Sequence, residues 1–100
     1  MNNLTNFEMV IAEDLLDEKE VLRLWQEVVQ EAKETEKTPA DITDHIRNAF
    51  IDAIADYIYE AIKKLEGGRL SDLLATAVED YVDIEDIVDY LIINKNLKWR

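Results

Sequence analysis

The sequence is notable first for what it lacks, beginning with cysteine, of which this 100-residue chain has none. Neither a disulfide framework nor a thiolate zinc site can therefore form. Its longest uncharged run falls far short of the roughly 20 apolar residues that a membrane span needs. Its first residues form no basic-then-apolar leader, which argues against secretion. These absences favour a cytoplasmic protein.

Positive charge is also scarce. Eleven lysines and arginines stand against 23 acidic residues, which leaves a net charge of −12. A field of that sign repels nucleic acid and anionic membranes and attracts basic surfaces. We therefore expect a basic protein partner, with no direct nucleic-acid contact, no membrane contact and no cofactor.

The spacing of apolar residues predicts the fold class. They recur at intervals of three and four nearly everywhere, without a sustained alternation of period two, so the chain is expected to be all-α. Its length suits one hydrophobic core, which predicts a single acidic helical domain over residues 1–100, built as a bundle of three to five helices. Residues 95–100 form a basic tail that we expect to be frayed, unless Trp99 docks on the body or on another subunit.

Capping patterns predict three helix starts: Thr5 with Glu8, Asp17 with Glu20, and Thr38-Pro39-Ala40-Asp41. The first helix is expected to bury one face, consisting of Phe7, Val10, Ile11 and Leu15. The second is expected to end near Lys33 and to bury Val21, Leu22, Trp25, Val28, Val29 and Ala32. The third is the longest and should be the central helix, ending at Gly67-Gly68, with the apolar set Ile42, Ile46, Phe50, Ala53, Ile54, Tyr57, Ile58, Ala61, Ile62 and Leu65.

The last apolar stripe leaves two alternatives. With Ser71 as its cap, a helix is expected to about Ile93, and its apolar residues alternate at spacings of four and three: Leu70, Leu74, Ala77, Tyr81, Ile84, Val88 and Leu91. Asp83 is a candidate break, so the segment is either one long helix or two. The same spacing leaves room for a homodimer, in which a second copy covers the stripe.

Charge is segregated along the chain. Residues 1–18 hold five acids and no lysine or arginine. The stretch between Arg69 and Lys95 holds seven more and again no cation, namely Asp72, Glu79, Asp80, Asp83, Glu85, Asp86 and Asp89. These two cation-free stretches carry as many carboxylates as the whole net charge. Solubility alone does not require this separation, because ordinary helices intersperse charges of opposite sign.

A displayed acidic face can imitate nucleic acid if it is dense enough. Carboxylates one helical turn apart are separated by ~6 Å of rise, whereas duplex DNA carries about one charge per 3.4 Å on each strand. One row is too sparse, but two rows on neighbouring helices approach that density. We therefore add a row from the third helix to the seven carboxylates above as candidate partner-binding residues: Asp44, Asp52, Asp56 and Glu60.

The helical stretches DITDHIRNAFIDAIADYIYEAI and VEDYVDIEDIVDYLI, with carboxylates on their outer faces, resemble the small acidic DNA-mimic inhibitors of bacteriophages. These include the overcome-classical-restriction (Ocr) and acidic anti-CRISPR types. The resemblance implies a non-catalytic inhibitor, in the cytoplasm of a bacterial host, that occupies the nucleic-acid channel of a restriction, CRISPR or other nucleic-acid-handling enzyme. It implies no metal and no catalytic residue.

Three segments favour a different function, because each has Glu-Asp followed by Asp three residues later: Glu13 to Asp17, Glu79 to Asp83 and Glu85 to Asp89. On a helix, the first and last carboxylates of each segment share a face and can hold magnesium. This resembles the metal motifs of all-α nucleoside triphosphate pyrophosphohydrolases. His45 beside Asp41 is a weaker catalytic candidate, and the only serine, Ser71, suits a helix cap better than a nucleophile.

Two alternatives without chemistry also stay open. A helical adaptor or antitoxin-type protein binds its partner through an apolar groove instead of a charged face. A face of exposed carboxylates can also serve solubility alone. Salt dependence separates the first from a DNA mimic, since only a charge-driven complex weakens steeply as ionic strength rises.

Overall fold

The computed structural model describes residues 4–64 and 69–99, and in these ranges it contains five α-helices, one π-helical turn and no strand. The helices are α1 (Asn6–Val10), α2 (Glu18–Thr35), α3 (Pro39–Lys64), α4 (Arg69–Tyr81) and α5 (Ile84–Asn94), and the π-helical turn (Ile11–Leu15) directly follows α1. The predicted all-α bundle of three to five helices is confirmed. The expected helix end at Gly67-Gly68 and the expected core residue Leu65 lie outside the described residues.

The first helical segment begins where the capping pattern predicts and buries only part of the face that the spacing predicts. Thr5 caps α1, while Ile11, Ala12 and Leu16 are buried and the side chain of Val10 is 52% exposed. The cause is the π-helical turn, in which the Leu16 N–H donates to the carbonyl of Ile11 at 3.2 Å, five residues back. With this wider turn, Ala12 and Leu16 join the predicted Ile11 in the core, while the predicted Phe7 and Leu15 are partly buried against it.

Helix α3 is the centre of the bundle, as predicted, and contacts α2, α4, α5 and the π-helical turn. The Thr38 hydroxyl caps its start by accepting a hydrogen bond from the Asp41 N–H at 3.2 Å. Every fourth residue along its inner face is buried, from Ile46 through Phe50, Ile54 and Ile58 to Ile62. The side chains buried by all the helices join in one hydrophobic cluster around this column.

Helix α2 packs against α3 and buries most of its predicted stripe. Trp25 is a core residue, as expected, and its ring meets Phe50 edge to face with 5.1 Å between centroids. Leu22 is the exception, because it is exposed while Leu24 is packed partly against the core. Asp17 occupies the N-cap position without a side-chain cap, and its N–H donates to the Tyr57 hydroxyl at 2.8 Å.

The last acidic segment forms two helices. Helix α4 ends at Tyr81, and the Asp83 carboxylate starts α5 by accepting a hydrogen bond from the Glu85 N–H at 3.0 Å. Residues 82–83 are not helical, and Tyr81 at the end of α4 is exposed instead of buried, whereas Val88 and Leu91 of the same predicted stripe are buried. The prediction for Ser71 was also wrong, since α4 begins at Arg69 and Ser71 lies inside the helix.

Residues 95–99 pack against the body, which corrects the prediction of a frayed tail. Leu97 is buried, Trp99 packs partly against the core, and the Trp25 indole N–H donates to the carbonyl of Lys98 at 3.2 Å. Asn96 adopts a positive φ of 53°, a conformation that asparagine tolerates better than most residues, and this turns the chain back. Trp99 therefore docks on the body of the protein, which was one of the two alternatives to fraying.

Candidate partner-binding surface

Carboxylates from both ends of the chain meet where α4 gives way to α5. There, α1 and the α4–α5 connection line a shallow surface groove, which we call the junction groove: Thr5, Glu8, Asp80, Tyr81, Val82, Asp83, Ile84 and Asp86. Four of these eight residues carry carboxylates, and none carries a cation. Glu8 comes from the first cation-free stretch and the three aspartates from the second. The fold thus joins two acidic segments that lie far apart in sequence.

Glu8 holds the junction together. Its Oε1 accepts hydrogen bonds from the Thr5 N–H at 2.9 Å and the Thr5 hydroxyl at 3.0 Å, and its Oε2 accepts one from the Asp83 N–H at 2.8 Å. The side chain of Glu8 is one of the buried polar groups, with the residue only 4% exposed. Burial by itself raises the pKa of Glu8, but the hydrogen bonds from Thr5 and Asp83 outweigh it and lower the pKa. Glu8 is therefore ionised at neutral pH and links α1 to the start of α5.

The pKa of Asp86 is raised, which reflects the negative potential of this region. Burial is the largest cause that raises its pKa, followed by the charges of four neighbours: Asp83, Glu8, Asp89 and Glu85. A carboxylate surrounded by others is harder to ionise, because each like charge disfavours its charged form. Three neighbours are local in sequence, but Glu8 is brought there only by the fold.

A second contact joins the two acidic stretches on another side of α5. The Tyr90 hydroxyl donates a hydrogen bond to the Glu13 carboxylate. This hydrogen bond is the largest cause of a raised Tyr90 pKa, with burial and the Glu13 charge adding to it. The π-helical turn, which carries Glu13, is thus tied to α5 by a polar contact as well as by apolar packing.

Two of the predicted partner-binding residues share one cation within the fold. The Arg47 guanidinium on α3 binds both oxygens of Asp89, at 3.3 and 3.4 Å, and lies 4.0 Å from Glu85. The second acidic stretch has no cation in its sequence, yet α3 supplies one across the interface with α5. Asp89 and Glu85 therefore belong in part to the bundle's own packing.

The four predicted carboxylates of α3 do not line the junction groove. Asp44 and Asp52 line a groove with Glu36, Asp41 and His45. Asp56 and Glu60 line another groove, whose further lining includes Asp17, Glu20, Arg23, Tyr57 and Lys64, and Glu60 lies 3.9 Å from Lys63. The described grooves thus place the α3 acids apart from the junction, instead of in one row beside it.

The remaining predicted residues of α4 are exposed. Asp72 lies in the first turn of the helix, where a carboxylate interacts favourably with the helix dipole. Glu79 lies near Tyr59 of α3, and burial followed by the charge of Glu79 raises the Tyr59 pKa. Neither carboxylate has an ion-pair partner among the described residues, so both add to the anionic surface.

The three Glu-Asp segments do not form the repeated metal motif that their spacing predicts. Glu13 lies in the π-helical turn while Asp17 is the N-cap of α2, and Glu79 lies in α4 while Asp83 is the N-cap of α5. Only Glu85 and Asp89 share one continuous helix, and there both face Arg47. Within residues 4–64 and 69–99, no group of three or more potential ligands is placed to hold a metal ion.

His45 has partners other than the one its neighbours predict. Its Nε2 lies 3.6 Å from Glu31 and its Nδ1 lies 3.6 Å from Glu36, so α2 and the connector face it instead of Asp41. Asp41 lines the same groove without an ion pair to the ring. The arrangement is that of a half-buried histidine between surface glutamates.

Comparison with known proteins adds no assignment. No protein family, curated protein or solved structure was found to match this chain. Across the part of the chain that the structure describes, no helix combines the length and apolar character needed to cross a membrane.

Sequence reasoning missed two members of this surface. Glu8 was recognised as a capping residue, but its bond to Asp83 spans 75 residues and leaves no local pattern. Tyr81 was assigned to the core because its spacing fits the apolar stripe, whereas it lines the junction groove and is 76% exposed. The available signal in the sequence was Asp83, a good N-cap residue and the candidate break, because a break there places Tyr81 at a helix end.

Proposed function

We propose that this protein is a non-catalytic inhibitor of a nucleic-acid-handling host defence enzyme of the restriction or CRISPR type, acting in the cytoplasm of a bacterial cell. It presents an anionic surface to the basic channel that normally holds nucleic acid. The observation that carries the proposal is the meeting of the two cation-free stretches at the junction groove, made by the Glu8 and Asp83 bond. Charge that is merely solubilising has no need to be gathered at one place.

The position of each carboxylate supports a division of roles within this surface. Asp80 and Asp86 line the junction groove, and no described lysine or arginine is within ion-pair distance of either. Asp83 and Asp89 instead serve the fold, through the α5 cap and the Arg47 pair. We therefore expect Asp80 and Asp86, with the exposed Asp72 and Glu79, to contribute most to partner binding.

Rigidity supports the same proposal. A disordered acidic tail loses conformational entropy when it binds, whereas carboxylates on packed helices are already ordered. The bond between Glu8 and Asp83 and the pair between Arg47 and Asp89 both hold α5 in place. Such a surface keeps its charge spacing fixed before it meets a partner.

A direct test measures DNA cleavage by purified restriction and CRISPR nucleases while this protein is titrated. The expected result is inhibition of at least one enzyme that excess duplex DNA and raised salt both relieve, since electrostatic binding weakens with ionic strength. The double variant Asp80→Asn with Asp86→Asn should lose inhibition. Its matched control, Glu31→Gln with Glu34→Gln, removes the same amount of charge from α2 and should retain inhibition.

Two results contradict the proposal. Equal loss of inhibition in both double variants means that inhibition depends on net charge and not on the junction groove. Inhibition that neither salt nor DNA relieves indicates a groove-binding adaptor or antitoxin-type protein instead. Release of pyrophosphate from nucleoside triphosphates in the presence of magnesium would support the pyrophosphohydrolase alternative.

A further inference from the structure

Helix α4 has an outer face that the other described residues leave uncovered. Its residues follow the i, i+3, i+4, i+7, i+8 spacing of one helical face, and we call them the α4 outer face: Leu73, Thr76, Ala77, Asp80 and Tyr81, all exposed except the half-buried Ala77. Leu73 is 67% exposed and Tyr81 is 76% exposed. An isolated exposed hydrophobic residue is ordinary, but here two large ones lie two turns apart on the same face. This face is therefore a candidate contact surface.

The packing of α4 explains why this face is free. Val78 is the only fully buried side chain among those described on α4, and it points to the opposite side, where the helix meets α3. Leu74 packs partly against the core beside it. The bundle thus uses one side of α4 and leaves the Leu73 and Tyr81 side to solvent.

Carboxylates frame these apolar side chains. Asp72 and Glu79 lie along one border of the α4 outer face, and Asp80 lies within it. Tyr81 also lines the junction groove, so the face continues into the carboxylates beyond the end of the helix. The only cation of α4 is Arg69, at its first residue. Two apolar anchors therefore lie beside negative charge along one border of the face and at its C-terminal end.

This combination selects the kind of partner. A second copy of the chain would bring the same carboxylates to the contact, and like charges at close range are unfavourable. A nucleic-acid channel lined by cations alone would leave Leu73 and Tyr81 without apolar partners. A segment with apolar residues on one face and lysine or arginine at its edges complements both features.

We propose that the α4 outer face binds a basic amphipathic helix of the target protein. Apolar side chains of that helix pack on Leu73 and Tyr81, while its flanking cations pair with Asp72, Glu79 and Asp80. This inference rests on the proposed function, because it takes the target to be basic, and adds an apolar anchor that pure charge mimicry lacks. The face from Asp72 to Tyr81 is ~14 Å long, which matches between two and three turns of a partner helix.

The test uses two synthetic peptides of about 18 residues, or roughly five helical turns, with the same leucine, lysine and alanine content. In one peptide the leucines form a single helical face, and in the other they are scattered around the helix. Binding of each labelled peptide is measured by fluorescence anisotropy. The wild-type protein should bind the amphipathic peptide about tenfold more tightly than the scattered one.

Two double variants assign that preference to the face. Leu73→Ser with Tyr81→Ser should remove the preference, and circular dichroism should remain helical because both side chains are exposed. The matched control, Leu22→Ser with Ile93→Ser, also removes two exposed apolar side chains but lies on α2 and α5. This control should retain the preference.

Each other outcome overturns the inference. Equal binding of both peptides, weakened only by Asp80→Asn with Asp86→Asn, means that the surface acts by charge alone, and the proposed function survives. Absence of peptide binding at low salt also rejects the apolar anchor, while the nuclease assay still tests the proposed function separately. Sedimentation of a dimer that Leu73→Ser with Tyr81→Ser dissociates would make a second copy the occupant.

Discussion

The carboxylate of Glu8 accepts a hydrogen bond from the backbone N–H of Asp83 at 2.8 Å, so the side chain that caps the first helix also anchors the start of the last. A single buried charge therefore connects the two ends of the acidic chain. It holds the junction groove together and also contributes to its negative potential. Stability and charge display thus depend on the same residue.

The first prediction concerns the stability supplied by Glu8. Glu8→Ala removes an acceptor shared by Thr5 and Asp83 and should lower the free energy of unfolding by about 1–3 kcal/mol at neutral pH. Urea denaturation followed by circular dichroism measures the loss. The exposed Glu31→Ala is the control and should change stability by less than about 0.5 kcal/mol. Similar losses in both variants would mean that the Thr5 and Asp83 bonds contribute nothing.

The second prediction is the pH dependence of that contribution. Because the pKa of Glu8 is lowered in the folded state, ionised Glu8 stabilises the fold above the unfolded pKa. This contribution is lost as pH falls through the folded pKa. The stability difference between wild type and Glu8→Gln should therefore shrink with acidification. A difference that stays constant down to strongly acidic pH would contradict this assignment.

The third prediction concerns Asp86, whose pKa is raised in the folded state, whereas that of Glu8 is lowered. Its raised pKa means that the folded state disfavours ionised Asp86, so Asp86→Asn should increase stability at neutral pH. The gain should vanish as pH falls below the ordinary aspartate range, because Asp86 is then protonated in both states. Side-chain NMR titration should find a midpoint above that of an exposed aspartate. Glu8→Gln should move this midpoint downward, and an unmoved midpoint would place Glu8 too far away to act.

The fourth prediction concerns the ion pair between α3 and α5. Arg47→Met keeps the aliphatic part of the side chain but leaves Asp89 and Glu85 without their cation. We expect a loss of about 0.5–1 kcal/mol, since both partners are partly exposed. The loss should diminish in high salt. Arg23→Met breaks pairs confined to α2, with Glu20 and Glu27, and should cost less.

The fifth prediction concerns the docked tail. Leu97→Ala should cost about 2–4 kcal/mol, because it leaves a cavity where a buried side chain packs in the core. Trp25→Phe keeps an aromatic ring against Phe50 but loses the bond to the Lys98 carbonyl, at a cost of roughly 1–2 kcal/mol. Hydrogen exchange of residues 95–99 should accelerate in both variants. Exchange as fast as in a free peptide in the wild type would show that the tail does not dock.

Much of this protein follows from its sequence alone. The spacing of apolar residues at intervals of three and four, without alternation of period two, determines an all-α bundle, and in α3 it places Ile46 to Ile62 on one buried face. Local capping chemistry determines the starts at Thr5 and Thr38, because each hydroxyl needs only a backbone N–H three residues ahead. The segregation of charge into two cation-free stretches is also a property of the sequence.

Only the tertiary structure decided how those parts combine. The bonds of Glu8 to Asp83 and of Trp25 to Lys98, and the pair between Arg47 and Asp89, join residues 42 to 75 positions apart. No local pattern encodes such contacts, because each depends on how whole helices pack. Packing therefore determined which carboxylates are neutralised, which serve as caps and which remain on the surface, since a carboxylate's environment includes residues that are distant in sequence but close in space.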